Sequence, residues 1–217
     1  MFDFSQIDEV RLDRGQHSSP EAGMCFMEMV AFFAGEKHSD QPKCACPVLG
    51  AYGIRLNDSM PDDVRDRLLK PLVPLIAGTA DKASEQQRAE FLAMWAVNRV
   101  LPILLRARGF ADHAKACEDA RTLAQANSAA NAASNAASTT DAAAYAAYAA
   151  YAAANAADAA AAAADAAYAA ANAADERIWE VAVEGLRRAI LIGRHDGFSE
   201  MENIIVERRQ KLRELVG

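Results

Sequence analysis

Between Phe110 and Glu184 this chain contains neither glycine nor proline. Across residues 127–175 roughly two-thirds of the positions are alanine, interrupted every three or four residues by Tyr, Asn, Asp, Ser or Thr. Alanine is the strongest helix former, and side chains three or four apart share one helix face. Such a stretch suits a long rod and not an active site. Unbroken, about 75 residues would span on the order of 110 Å at 1.5 Å per residue. The weak point is Ser138-Thr139-Thr140-Asp141, whose side chains compete with helical hydrogen bonds and make good N-caps. A break or kink is expected there, leaving either one long helix or a helical hairpin.

The polar residues of the tract form a stripe that includes Asp141, Tyr145, Tyr148, Tyr151, Asp158, Tyr168 and Asp175. Its average step falls a little short of the period of a straight helix, so the stripe drifts in the left-handed sense of a coiled-coil seam. Alanine on the other faces lets a second helix approach closely. The tract therefore predicts antiparallel helix packing within or between chains, and a homo-oligomer. A platform for an unknown protein partner, with the tyrosines as contacts, is the alternative use.

Alanine also inflates the 52% hydrophobic content, because it buries little area. A core must come from the flanks: residues 26–33, 48–56, 68–76, 91–105 and 178–192. A chain of 217 residues is long enough for one such core, or for a compact domain with an appendage. The net charge of -7 argues against nucleic acid as a partner. The tract's scattered aspartates are too sparse to mimic a phosphate backbone. No apolar run is long enough to span a membrane, and Met1-Phe2-Asp3-Phe4 lacks the layout of a signal peptide. A soluble cytoplasmic protein is expected, with its four cysteines as thiols or ligands and not as disulfides.

Strand-like alternation is almost absent and helix signals recur, so the fold class is all-α. Ser18-Ser19-Pro20-Glu21 offers a start for a helix that Gly35 closes. Pro47 opens a second helix, which Asn57-Asp58 should end. Pro61-Asp62-Asp63 starts a third, interrupted by Pro71 and Pro74. Ser84 begins a longer one, kinked or restarted at Pro102 and stopped by Gly109. The expected organisation is a compact helical module over residues 1–109 and an alanine-rich helical segment over 110–195. An amphipathic helix over 196–217 should pack back on the module.

Three cysteines and two histidines fall within thirty residues of one another, at His17, Cys25, His38, Cys44 and Cys46. Cys44 and Cys46 precede the helix start at Pro47, where the helix dipole favours thiolate. With Cys25 and either His17 or His38 they would complete a Cys3His zinc shell, and His17, Cys25, Cys44 and Cys46 are the metal candidates. The spacing matches none of the strong zinc signatures. A second reading makes Cys25 a nucleophile, with His17 just before its helix and Glu28 one turn later. The plainest reading has Cys25, Met24, Met27 and Met29 filling the core while His17 and Glu28 satisfy backbone groups. Arg55, Asn57 and Asp58 could share a surface with His17 if the first two helices pack antiparallel. Cys117 reads as packing, and His113 and His195 as surface or helix-end residues.

Several uncommon words occur here in order: Gly15-x-His17-x-Ser19-Pro20-Glu21-x-Gly23-Met24-Cys25-x-Met27-Glu28, then Ala34-Gly35-Glu36-x-His38-Ser39-Asp40-x-Pro42-x-Cys44, then Pro47-Val48-Leu49 and Leu56-Asn57-Asp58. The pattern resembles a group of proteins from actinobacterial phages and actinobacterial genomes, over about residues 10–106. That resemblance implies a phage-linked module and assigns no site roles. The tract also resembles, in composition alone, the fish type I antifreeze proteins, although its only threonines are the adjacent Thr139 and Thr140, with tyrosine where a repeated threonine would be expected. The leading expectation is a non-enzymatic binding or scaffold protein that blocks or sequesters a host component. The alternatives are a small cysteine enzyme using Cys25, and an ice-binding protein using the tract.

Overall fold

A computed structural model of the chain describes residues 10–137 and 177–193. The break expected near 138–141, most of the alanine stripe and the C-terminal segment 196–217 lie outside the described residues. The described part is all-α, and no strand occurs among its residues. Its helices are α1 (Phe26–Phe33), α2 (Pro47–Ser59), α3 (Asp62–Leu69), the single turn α4 (Val73–Ile76), α5 (Lys82–Trp95), α6 (Leu101–Ala107), α7 (Ala111–Asp119), α8 (Leu123–Ala136) and α9 (Arg177–Leu191). No helix among the described residues is long and apolar enough to cross a membrane.

The prolines act as their missing N–H dictates. Pro47 occupies the first turn of α2, where its donor would go unused, and Pro61 caps α3 ahead of the dipole-favoured Asp62 and Asp63. Pro71 and Pro74 divide the next stretch into a 3-10 turn, Lys70–Leu72, and α4. Asn57 and Asp58 do not end α2, which continues to Ser59. The cap of α5 is Asp81 and not Ser84: its carboxylate accepts from Ala83 N at 3.0 Å. A wider π turn over Ala96–Val100 separates α5 from α6, so Pro102 falls in the opening turn of a helix and disrupts nothing.

The rod expected from Phe110 onward is interrupted early. α7 ends at Asp119, Ala120 is extended, and Thr122 starts α8 by accepting from Gln125 N at 3.2 Å. The cause is a tertiary contact. Asn98, in the π turn, donates through Nδ2 to Cys117 O at 2.6 Å and Ala120 O at 3.1 Å. It thereby takes up carbonyls that a helix end leaves open.

One hydrophobic core runs from Leu12 through Ala137 and resumes over Ile178–Ile190. Ala114, Cys117, Ala126, Ala130 and Ala133 join the same core as Phe26 and Leu49. α9 closes that core by packing on α2, α3, α5 and the π turn. Tyr52 Oη donates to Ala182 O at 3.1 Å, and Trp95 Nε1 donates to Val181 O at 2.8 Å. Close approach is possible because α9 carries Gly185 under the indole, where a Cβ would lie 2.6 Å from Trp95 Cδ1. At the far end the buried Arg88 donates to Thr79 O at 2.6 Å and to Ile192 O at 2.8 Å, tying α5 to the end of α9.

Candidate functional site

The His/Cys region is organised by Glu28. Cys25 is the N-cap of α1: its sulfur accepts from Glu28 N, and the Glu28 carboxylate accepts from Cys25 N at 2.8 Å. This is a capping box with a thiol in place of the usual hydroxyl. The same fully buried carboxylate accepts from His17 N at 2.7 Å and bonds His17 Nδ1 at 2.8 Å. His38 Nε2 stands 3.5 Å from the other oxygen and 3.1 Å from His17 O, to which it donates. Glu28 thus clips the segment before α1 and the loop after it onto one point. Burial works to raise the Glu28 carboxyl, but the bonds it accepts from Cys25, from His17 and from the His17 ring outweigh it and leave it below its ordinary value.

A second buried polar group extends this clip. Asn57 Oδ1 accepts from Phe26 N at 3.1 Å, and its Nδ2 donates to Asp13 O at 2.8 Å. Arg65, 1% exposed, donates to Leu12 O and Asn57 O at 2.7 Å each and to Met60 O at 3.0 Å. Asp66 accepts from Leu12 N and Asp58 accepts from Gly15 N, both at 2.8 Å. Asp13 N donates to Met24 O at 2.9 Å, and these side chains supply most of the other partners of the backbone over residues 12–17. Asn57 and Asp58 reach the segment before α1 at Asp13 O and Gly15 N, and the first residue of α1 at Phe26 N.

The thiols are protected. Burial pushes Cys25 up to about 12, and the neighbouring Glu28 charge pushes in the same direction. Cys44 is raised to about 11 by burial and by the Glu36 carboxylate, and Cys117 to about 11 by burial and by Glu118. Cys46 is fully buried as the N-cap of α2, and its N–H donates to Thr79 Oγ1 at 3.0 Å. Among the described residues no group of three or more His, Cys, Asp or Glu side chains is gathered to hold a metal ion. Cys25 and Cys46 cap different helices, the Cys44 carbonyl binds Gly78 N and Ala80 N, and the His17 ring bonds Glu28. His17, Cys25 and Glu28 are brought together, with the Cys25 N–H and the His17 ring both bonded to the Glu28 carboxylate. His113 rests edge-on against Phe110.

Sequence reasoning did not single out a cleft of about 710 Å³ beside this cluster. Its floor includes Met27, Cys46 and the outward stripe of α2: Pro47, Gly50, Ala51 and Ile54. Charged side chains form the rim, with Asp40 and Lys43 on one side and Asp81, Lys82 and Glu85 from α5 on the other. The available signal was the pair of small residues, Gly50 and Ala51, within an apolar i, i+3, i+4, i+7 stripe. No known protein family, curated protein or solved structure matches this chain.

Proposed function

We propose that the chain acts by binding and not by catalysis, as a non-enzymatic scaffold protein of the phage type, working in the cytoplasm on a host component. The observation that supports this reading is how the polar cluster is used. Glu28, Asn57 and Arg65 spend most of their hydrogen bonds on backbone groups of the same chain. The Cys25 thiol, raised to about 12, carries about a thousandfold less thiolate near neutral pH than an ordinary cysteine. That arrangement holds a loop in place and leaves no nucleophile to react. The partner-facing surface on this reading is the cleft over α2, and self-association through the alanine tract goes with it.

Alkylation separates binding from Cys25 chemistry. With iodoacetamide at pH 8, Cys25 in the folded protein reacts far more slowly than free cysteine, while the denatured chain labels at all four thiols. A folded-state rate at or above that of free cysteine sinks the reading and restores Cys25 as a nucleophile. Metal analysis of the same sample is the direct check on zinc. One equivalent bound, with Cys25, Cys44 and Cys46 masked until unfolding, would replace the hydrogen-bonded clip with a metal centre.

A further inference from the structure

Where α5 runs into the π turn, the half-buried Trp95 is fixed by three contacts. Its Nε1 donates to Val181 O at 2.8 Å, Gly185 of α9 leaves room for the ring, and Phe91 lies against it with centroids 5.7 Å apart. Two guanidinium groups stand over the indole, with Arg188 Cζ 5.1 Å from the ring centroid and Arg99 Cζ 6.0 Å from it. With Glu180, Val181 and Glu184 these side chains line a pocket of about 510 Å³ that shares no residue with the α2 cleft.

The charges around this pocket do not cancel. Glu180, Glu184 and Arg188 follow at four-residue spacing on one face of α9. Glu184 pairs with Arg188 Nε at 2.7 Å and Arg187 Nε at 3.9 Å, and Glu180 pairs with Arg67 Nη1 at 3.5 Å. Each carboxylate of the lining is thus already matched. Arg99 is exposed and contacts the ring, and no carboxylate pairs with it among the described residues. Stacking on an indole uses the face of a guanidinium and leaves its in-plane N–H donors free, in the fork that suits a carboxylate. Because the indole is itself fixed, the fork is held in place before any ligand arrives.

We propose that Trp95 and Arg99 form a docking site for an acidic peptide segment of a protein partner. A Glu or Asp carboxylate of that segment takes the Arg99 fork, and an adjoining apolar side chain lies against Trp95 and Val181. The local charge favours a carboxylate over a phosphate, because Glu180 and Glu184 line the same pocket and oppose a second negative charge. A free carboxylate is too little by itself, since one exposed ion pair contributes almost nothing. The apolar neighbour supplies the rest, and Trp and Arg are the side chains that most often carry binding energy at protein interfaces. This surface goes beyond the α2 cleft and stands whether or not Cys25 reacts.

Binding of the full-length protein to immobilised hexapeptides tests this, with a central Leu-Glu, Leu-Gln or Leu-phosphoserine pair and mixed flanking residues. At about 50 mM salt the Leu-Glu set should retain about fivefold more protein than the Leu-Gln set, and the excess should shrink by about 300 mM as screening weakens the ion pair. Arg99→Gln should abolish the excess. Arg99→Lys, which keeps the charge without the fork, should lower it by about half or more. Both variants alter an exposed side chain and should melt with the wild type. Arg106→Gln, at an exposed arginine paired with Glu118 instead, should leave the excess intact. Equal retention of the Leu-Glu and Leu-Gln sets overturns the proposal, as does an excess that survives Arg99→Gln. A phosphoserine set that outbinds the Leu-Glu set, with the difference lost in Arg99→Gln, overturns it in favour of a phosphate site.

Discussion

Two seams join this molecule, and they are built on opposite principles. Where the segment 10–24 meets α1, α2 and α3, buried polar side chains do the joining: Glu28, Asn57 and Arg65 reach backbone groups directly. Where α9 meets α2 and α5, shape does the joining. Gly185 admits the Trp95 ring, with single hydrogen bonds from Tyr52 and Trp95 fixing the register. A polar seam depends on charge and hydrogen-bond count, because an unpaired buried group costs the full loss of its water. A packed seam is indifferent to pH but intolerant of added volume. A loop without secondary structure needs the first kind, since its N–H and C=O groups have no other partners.

The hardest blow to the polar seam is Arg65→Met. It leaves the carbonyls of Leu12 and Asn57 without their buried donor, and a loss of about 3–5 kcal/mol in urea unfolding is expected. A loss below about 1 kcal/mol would mean that water replaces the guanidinium and that the seam is not polar in the sense argued here.

Glu28→Gln should cost about 2–3 kcal/mol at pH 7, because an amide cannot accept from Cys25 N, His17 N and the His17 ring together. Its signature is the acid limb. The folded Glu28 carboxyl lies below its unfolded value, so the stability it adds is complete above about pH 4.3 and drains away as pH falls through the folded value. The gap between wild type and Glu28→Gln should therefore narrow as pH falls below about 4.3. An unchanging gap would place the cost in shape and not in charge.

Gly185→Ala sharpens the contrast from the other side. The added methyl meets Trp95 at 2.6 Å, and a loss of about 1–3 kcal/mol is expected, the same at pH 4 as at pH 7. Loss of Trp95 fluorescence shielding should accompany it. A pH-dependent loss would show that the two seams are coupled and that the contrast is false.

Local signals carried much of the architecture. Pro47, Pro61 and Gly109 act where their chemistry says they must, and the amphipathic pattern of 178–192 gives α9 directly. Features set by distant contacts were not legible. The break after Asp119 depends on Asn98, some twenty residues earlier, and nothing local marks it except Thr122. Arg65, within Asp62-Asp63-Val64-Arg65-Asp66-Arg67, reads as a solvated helix charge until residues 12–15 are laid over it. At the candidate site, the residues singled out as ligands are near one another, but their roles differ. Cysteine spacing suggested a shared centre, whereas Cys25 and Cys46 each cap a separate helix, a use that spacing alone cannot separate from ligation.

The position of α9 also sets an order of events during synthesis. Tyr52 and Trp95 are made early, but the helix that covers them begins at Arg177, beyond the stretch 138–176. At translation rates of about 5–20 residues per second, that stretch delays closure by a few seconds. During that interval the nascent chain presents an apolar face with its final wall still unmade. Lengthening or shortening the stretch 138–176 would alter how long a chaperone has to find that face.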